Sequence, residues 1–299
     1  MNDQPEQLSA QNHNANMQQQ LPHGIIVAAT PLGNLADASP RLISALQQAE
    51  LIAAEDTRRL RNLANALGLE LRAKVVSNFD HNEAGRVSEL LRAARNSSVL
   101  VVSDAGMPVV SDPGHNIVAA AHEAGVPVTA IPGPSAVPTA LALCGLQVGK
   151  FIFDGFAPRK DGARRSWLES LRNEKRAVCF FESPHRLADT LHIAAEVLGE
   201  QRRGAVCREL TKFYEEVKRA PLGELAAWAE DGVKGEITVV IEGGEQTHLT
   251  VEDAVGRVSE LVDGGMRLKA ACKQVGAWTA HSNRELYDAF LRARAEEED

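Results

Sequence analysis

Residues 99–114, VLVVSDAGMPVVSDPG, combine an apolar run with small and acidic residues that could contact a ligand. The four apolar residues at 99–102 predict a strand buried on both faces, and the Asp, Gly and Pro residues after them predict a tight loop. Ligands of open α/β sheets bind outside the carboxyl ends of strands, where small residues let backbone groups approach closely. The pattern also fits an ordinary strand-to-helix connection, in which Asp112 caps a helix that begins at Pro113.

Polar clusters follow several other apolar runs, at residues 55–58, 80–82 and 209–212 and at Ser135. Because the carboxyl ends of parallel strands meet in one crevice, we expect these side chains to converge there. Each cluster also has a structural interpretation. Asp56 is well placed to cap a helix, and His81 and Lys212 are equally acceptable as surface residues.

Motifs of several common ligand sites do not occur in the sequence. No GxGxxG follows the first predicted strand, and GxxxxGK[ST], GxSxG and HExxH are absent, which argues against dinucleotide, P-loop, hydrolase and zincin sites. The four cysteines are far apart, so we expect neither disulfides nor a metal site. The net charge of −8 argues against a general nucleic-acid coat protein but allows a local basic patch.

The order of predicted elements defines the fold class as α/β, with two α/β domains and a small helical appendage. Strands alternate with helices over residues 23–146, which predicts a mostly parallel sheet covered on both faces. Residues 147–243 have more strand per helix and predict a second domain with a mixed sheet, and residues 250–295 predict three short helices. The Gln- and Asn-rich residues 1–22 are predicted to be disordered. No apolar run is long enough to cross a membrane and no signal pattern occurs, so we expect a cytoplasmic protein.

In the second domain, Ser183 and Pro184 predict the start of a helix that carries Arg186, and residues 213–218 predict a strand. Residues 159–176 contain seven Lys or Arg against three acidic residues, a net charge of +4. Such a segment is typical either of an RNA-binding surface or of a solvated helix face. The candidate RNA-binding residues are Arg58, Arg59, Arg159, Lys160, Arg164, Arg165 and Arg186.

Seven motifs occur in the order TPLGNL, AEDTRR, DHNE, VVSDAGMPVVSDPG, IPGPSA, SPHR and RELTK. In this order and spacing they resemble the bacterial ribosomal RNA small subunit methyltransferase I family, within the tetrapyrrole methylase superfamily. The resemblance extends over residues 24–292. Met107 departs from the pattern, since threonine is usual at that position in the family.

The resemblance implies two α/β domains with S-adenosylmethionine in the cleft between them, and a homodimer. It also implies methylation of the ribose 2′-oxygen of a cytidine, cytidine 1402 of 16S rRNA, in the assembled 30S subunit. The expected cofactor-binding residues are Pro31, Gly33, Ser103, Asp104, Ala105, Gly106, Met107, Val109, Ser135, Ala136, Glu182, Ser183, Leu210, Glu236, Ile237 and Thr238.

A ribose hydroxyl needs to lose its proton to become a good nucleophile, and the candidate bases are Glu209, Asp56 and His81. The sequence does not choose among these three. Lys212 could hold a phosphate or lower the pKa of the hydroxyl. Two other functions stay open, namely methylation of a tetrapyrrole or corrin ring in the same cleft and DNA binding by the C-terminal helices of a non-enzymatic regulator.

Overall fold

The computed structural model describes residues 20–79, 83–244, 250–279 and 281–297. Residues 1–19, which are most of the predicted disordered tail, and the candidate base His81 lie outside the described residues. Within the described ranges the chain forms two five-stranded sheets followed by three helices, which confirms the predicted α/β class.

The first sheet is parallel throughout and carries the small-residue loop at 103–109. Its strands are β1 (Gly24–Ala28), β2 (Leu51–Ala54), β3 (Lys74–Ser77), β4 (Ser98–Val102) and β5 (Val128–Ile131). They lie in the order β3-β2-β4-β1-β5. Every residue of β1, β2 and β4 is buried, as expected for central strands covered on both faces. Their carboxyl ends therefore open at one edge, where the polar clusters lie.

Helices cover this sheet, and side-chain caps mark where two of the described helices begin. They are α1 (Pro40–Gln48), α2 (Thr57–Ala66), α3 (Glu83–Ala94), α4 (His115–Glu123) and α5 (Ala136–Leu143). The hydroxyl of Ser39 caps α1 and Pro40 is its first residue, as predicted. The predicted cap at Asp112 is wrong. Ser111 and Gly114 have φ angles of 65° and 131°, which no helix allows, so α4 begins at His115.

The second sheet is mixed, as predicted. Its strands are β6 (Phe151–Phe156), β7 (Ala177–Glu182), β8 (Arg203–Arg208), β9 (Glu216–Pro221) and β10 (Ile237–Ile241). They lie in the order β6-β7-β10-β8-β9, and only the β6–β7 pairing is parallel in the described part of this sheet. Its helices are α6 (Asp161–Ser170), α7 (Leu187–Leu198) and α8 (Leu222–Ala229).

Two predicted boundaries in this domain are wrong, because turns extend further than the sequence pattern indicates. Helix α7 begins at Leu187, since Arg186 donates its amide proton to the carbonyl of Ser183 and closes a turn. The strand predicted at 213–218 begins at Glu216, because two successive turns occupy residues 209–215. Those turns place Lys212 at the edge of the cleft described below.

The C-terminal helices pack on one another around a small apolar cluster of their own. They are α9 (Val251–Asp263), α10 (Leu268–Trp278) and α11 (Asn283–Glu297). Val258, Cys272 and Leu286 form the centre of this cluster. Of the helices in the described ranges, none has the length and apolarity needed to cross a membrane.

Candidate active site

A cleft of about 420 Å³ lies between the two sheets and collects side chains from both domains. It brings together these predicted cofactor residues: Asp104, Ala105, Ala136, Glu182, Ser183, Leu210, Glu236, Ile237 and Thr238. The other residues that line it are Leu32, Glu55, Arg59, Asp112, Phe156, Phe181, Pro184 and Gly235. The walls are thus mostly apolar with several carboxylates, a common composition for a small-molecule site.

Two further predicted cofactor residues shape the small-residue loop. The amides of Gly106 and Thr30 donate to each other's carbonyl oxygens at 3.0 and 2.9 Å, and the Ser103 hydroxyl donates to the Gly106 carbonyl at 3.3 Å. Gly106 has a φ of 87°, and a Cβ atom there would lie 3.1 Å from Leu32. Glycine at this position therefore fixes the course of the loop beside the cleft.

Met107 and Val109, which are also expected to bind the cofactor, are not among the residues that line the cleft. Both side chains are partly buried and pack against the apolar core of the first sheet. Val109 adopts a φ of 75°, which is unusual for a β-branched residue and lets its side chain turn into the core. The expected contact of these two residues with the cofactor therefore concerns their backbone and stays a prediction. The departure of Met107 from the family's threonine lies outside the cleft lining.

The remaining predicted cofactor residues lie next to the cleft lining. Pro31 is buried, and Ser135 stands at the N-cap of α5 without capping it through its side chain. Gly33 packs directly against the side chain of Lys212, so closely that a Cβ atom on Gly33 would overlap the lysine stem. The loop after β1 in the first domain thus rests on a second-domain lysine.

Acidic residues at the ends of β2 and β4 are tied together by backbone hydrogen bonds. The Asp56 amide donates to the Asp104 carboxylate at 3.0 Å, and the Asp104 amide donates to the Glu55 carboxylate at 3.1 Å. Arg59 lies 3.4 Å from the other Asp104 oxygen. Burial raises the pKa of Asp104 despite this arginine. The first-domain wall therefore presents two carboxylates fixed in place by the backbone.

The structure separates Asp56 from the other candidate bases. Its carboxylate caps α2 and accepts hydrogen bonds from the amide and the guanidinium of Arg58, each at 2.8 Å. These bonds lower the pKa of Asp56 strongly. Neither Asp56 nor Glu209 is among the lining residues, but a carboxylate of such low pKa is a poor general base, so the capping interpretation of Asp56 is favoured.

Glu209, Lys212 and Glu236 form a charged corner on the second-domain side. The Lys212 ammonium lies 2.8 Å from Glu209 and 3.0 Å from Glu236, and the Glu236 amide donates to the same Glu209 oxygen at 3.0 Å. The hydrogen bond from Lys212 lowers the pKa of Glu209. Burial opposes the charge on Lys212, but the two carboxylates outweigh it and raise the pKa of Lys212. The corner therefore holds one cation between two anions.

The backbone of this corner is strained. Glu209 and Thr211 have φ angles of 50° and 67°, a region that a β-branched residue such as Thr211 rarely adopts. Gly235 faces Glu209 so closely that any side chain there would overlap the carboxylate. Strain of this kind persists where the surrounding structure requires a particular geometry, and it clusters at functional sites.

Glu182 and Arg186 form a second ion pair at the end of β7. The Glu182 side chain is fully buried and accepts bonds from Arg186 at 2.5 Å and from the Thr190 hydroxyl at 2.6 Å. Arg186 also donates to the carbonyls of Ala157 and Pro158, each at 3.3 Å. Most donors of Arg186 are thus used within the protein, which restricts any RNA contact to its remaining exposed edge.

The burial of Arg164 removes this residue from the RNA-binding surface predicted for residues 159–176, and that part of the prediction is wrong. Arg164 is 1% exposed and bonds to Asp161 and to the carbonyl of Pro158, so it is a structural residue. Arg165 pairs with Glu196 at 2.5 Å. Arg159 and Lys160 are exposed, and among the described residues they have no ion pair. Arg58 is exposed but paired with Asp56, and Arg59 lines the cleft.

A parallel sheet, a mixed sheet and an acidic cleft between them define a class of two-domain α/β enzymes. The family described as Tetrapyrrole (Corrin/Porphyrin) Methylases matches residues 24–226, and the chain belongs to this family. Two solved structures share the fold. The methyltransferase CobJ aligns with a TM-score of 0.56 and 21% identity over 76% of this chain and 96% of its own. A diphthine synthase aligns with a TM-score of 0.54 and 18% identity over 73% and 89%.

Relatives of higher sequence identity share a name that is more specific than the family description. The protein named "Ribosomal RNA small subunit methyltransferase I" of Mycobacterium tuberculosis H37Rv is 54% identical over 276 residues, which cover 91% of this chain and 96% of the relative. The protein of the same name from Escherichia coli O157:H7 is 39% identical over 83% and 87%. The resemblance stated from the seven motifs is confirmed by these relatives.

Proposed function

We propose that this chain is an S-adenosylmethionine-dependent methyltransferase that methylates the ribose 2′-oxygen of a cytidine in 16S rRNA, cytidine 1402 by resemblance, within the 30S subunit. The observation that carries the proposal is the 54% identity over nearly the whole length of a relative named for methylation of small-subunit ribosomal RNA. The cleft supports it, because the cleft offers separate groups for a cationic methyl donor and for a ribose. Corrin and tetrapyrrole methylation is the alternative that the experiment below must exclude.

The cleft residues fit S-adenosylmethionine, which supplies a methyl group activated on a sulfonium cation. Leu32, Leu210 and Ile237 provide apolar surface for a nucleoside. Asp104 and Glu55 provide negative charge at the opposite wall. Carboxylates held by backbone amides suit a cation, since no rearrangement is needed when the ligand binds. Ser103 and Gly106 support the cofactor by shaping the loop rather than through side-chain contacts.

The charged corner is assigned to the ribose. Lys212 can stabilise negative charge that develops on the 2′-oxygen, or hold the neighbouring phosphate. Glu209 is favoured over Asp56 as the proton acceptor, because Glu209 lies in the charged corner beside Lys212 whereas Asp56 caps a helix. Correct positioning of the two reactants can supply up to roughly 7–11 kcal/mol in ideal cases. His81 stays a candidate from the sequence.

Several parts of the proposal concern the wider setting. We infer a homodimer, a cytoplasmic location and recognition of the assembled 30S subunit rather than free RNA. The acidic net charge of −8 supports the last point, because weak sequence-independent attraction leaves recognition to shape and to local cations.

The test is incubation of the protein with labelled S-adenosylmethionine and 30S subunits that lack the modification, followed by mapping of the label. We expect the label on a cytidine ribose, with little transfer to a free oligonucleotide of the same sequence. Label on a base carbon or nitrogen, or transfer to a corrin ring in preference to the subunit, would refute the proposal.

A further inference from the structure

A second cavity, of about 500 Å³, opens beside the cleft and is lined by Phe156, Arg159, Ser183 and Arg186. Phe156 and Ser183 also line the cleft, so the two spaces adjoin. We call this second cavity the Phe156 niche. Its lining combines an aromatic ring, an exposed arginine and an arginine fixed by internal bonds, a chemistry different from that of the acidic cleft.

The ring of Phe156 reaches the niche because of an irregularity in β6. Side chains alternate between the faces of a strand, so Phe153 and Phe156 should point to opposite sides. The pairing with β7 shifts register between these two residues, and Gly155 has a φ of 69°. Both rings consequently meet Phe181 edge to face, at 5.0 and 5.3 Å between centroids. A bulge of this kind re-aims a side chain and is common next to active sites.

The first domain approaches the same bulge. A Cβ atom on Gly155 would lie 3.2 Å from the hydroxyl of Ser111, so the loop before α4 packs closely over this glycine. Ser111 itself adopts a φ of 65°. The backbone is therefore held in unusual conformations at Gly155 in the second domain and at Ser111 in the first. These conformations keep Phe156 at the edge of the cleft.

Phe156 is 61% exposed although it meets Phe181 edge to face, so much of its ring is available to a flat partner. Arg159 is exposed and, among the described residues, has no ion pair. Aromatic faces stack on unpaired bases and free guanidinium groups bind phosphates, and this combination is typical of sites for single-stranded RNA.

We propose that the Phe156 niche binds one nucleotide of the RNA substrate, with its base stacked on Phe156 and its phosphate at Arg159. The inference rests on the proposed function, because it places this nucleotide next to the ribose that receives the methyl group. Arg186 and Glu182 act as positioning residues that hold residues 157 and 158, and with them the start of the Arg159 segment.

The first experiment compares four variants at position 156 and position 159 in the full-length protein: Phe156→Ala, Phe156→Leu, Phe156→Tyr and Arg159→Ala. Phe156→Ala should raise the KM for 30S subunits about ten-fold, since loss of base stacking has effects of this size. Phe156→Leu keeps apolar surface but loses the ring, so it should resemble Phe156→Ala, whereas Phe156→Tyr should retain the parent's KM. Calorimetry should show an unchanged affinity for S-adenosylmethionine in Arg159→Ala, because Arg159 does not line the cleft. In the Phe156 variants the change in this affinity should be much smaller than the change in KM, since Phe156 also lines the cleft.

Arg159→Ala tests the phosphate contact through salt. It should weaken 30S binding and lower the slope of log affinity against log salt concentration by about one. The matched control is Arg257→Ala, an exposed arginine on α9 in the C-terminal helices, which should leave both quantities unchanged.

The outcomes separate this inference from the proposed function. If Phe156→Ala weakens cofactor binding and leaves the KM for 30S unchanged, the niche belongs to the cofactor and the inference is wrong. If Phe156→Leu behaves like the parent, no base stacks there. Filter binding of 30S subunits without turnover tests the niche even if the parent transfers its methyl group to another position, a result that would refute the proposed function alone.

Discussion

The two walls of the cleft hold their carboxylates in opposite ways. On the first-domain wall, Asp104 accepts the amide of Asp56, and burial raises its pKa. Beside the second-domain wall, next to the lining residues Leu210 and Glu236, Glu209 is paired with Lys212, which lowers its pKa. The negative charge of Asp104 is thus only partly offset by Arg59 at 3.4 Å, and a further bound cation would stabilise it, whereas Lys212 contacts Glu209 and Glu236 directly.

This difference divides the proposed reaction between the domains. A wall on which burial raises the pKa of Asp104 despite Arg59 favours a sulfonium ligand, because a further cation nearby lets this carboxylate stay charged. A wall with a lysine held between two carboxylates keeps that lysine protonated and in place, ready to stabilise an oxyanion or a phosphate. Substitutions on the two walls should consequently affect different kinetic quantities, and the predictions below test that separation.

The largest effect is expected for Lys212→Ala. Lys212 supplies the cation of the charged corner, and its removal takes away the charge that would stabilise the 2′-oxygen there, so kcat for 30S methylation should fall about 10²-fold or more. Cofactor affinity should be unchanged, because Lys212 belongs to the second wall. Label incorporation at saturating substrates measures the first quantity, and calorimetry the second.

Lys269→Ala provides the control for that experiment, because Lys269 is an exposed lysine on α10, outside both walls. It should methylate like the parent. A Lys212→Ala protein that is folded and fully active would contradict the assignment of the charged corner to the ribose.

A somewhat smaller loss is expected for Gly33→Ala. The added methyl group would overlap the stem of Lys212 and displace its ammonium from Glu209 and Glu236. Gly33 has no left-handed backbone, so the effect comes from this overlap and not from strain. We expect kcat to fall about ten-fold, as misplacement of a catalytic group by about 1 Å can cost up to 10²-fold.

Gly256→Ala, in the middle of α9, is the matched substitution, because a Cβ atom there meets nothing within 4 Å. It should keep full activity, and its free energy of unfolding should rise by roughly 0.4–1 kcal/mol. If Gly33→Ala and Gly256→Ala are equally active, the loop after β1 does not position Lys212.

The sequence predicts the first wall better than the second, and local structure explains why. A β-branched run followed by Asp, Gly and Pro predicts strand β4 and the loop after it, and these signals are local in the sequence. The bulge at Gly155 depends on the pairing of β6 with β7, so no local pattern reveals it. Arg164 is buried although its partners Asp161 and Pro158 are near in sequence, and the charge pattern of residues 159–176 does not reveal that burial. The position of Phe156 depends on the bulge at Gly155, so the sequence around it does not indicate a role in the site, although a glycine within a predicted strand is a signal for a bulge.

On the first wall, Asp104→Asn should weaken cofactor binding about ten-fold while kcat at saturating cofactor changes little. The amide keeps the shape of the side chain and can still accept from the Asp56 amide, but it removes the negative charge. A charged hydrogen bond or ion contact of this kind contributes roughly 1.5–3 kcal/mol. Calorimetry on the folded variant measures the change, and a loss of kcat without a change in affinity would reverse the roles of the two walls.

The smallest effect concerns the pH dependence of folding, where the two walls should have opposite signs. Glu209 has a pKa below its ordinary 4.5, so its stabilisation is complete above pH 4.5 and is lost as the pH falls through the folded pKa. Asp104 has a pKa above its ordinary 3.8, so the folded protein binds that proton first and gains relative stability as the pH falls through this window.

Urea unfolding of the parent, Glu209→Gln and Asp104→Asn at pH values from about 3 to 7 measures this difference. Glu209→Gln should flatten the decline of unfolding free energy on the acid side, because the group responsible for part of the decline is gone. Asp104→Asn should make that decline steeper, because it removes a proton uptake that favours the folded state. If the slope of unfolding free energy against pH changes in the same direction in both variants, the same electrostatic balance holds both carboxylates. The contrast between the two walls is then wrong.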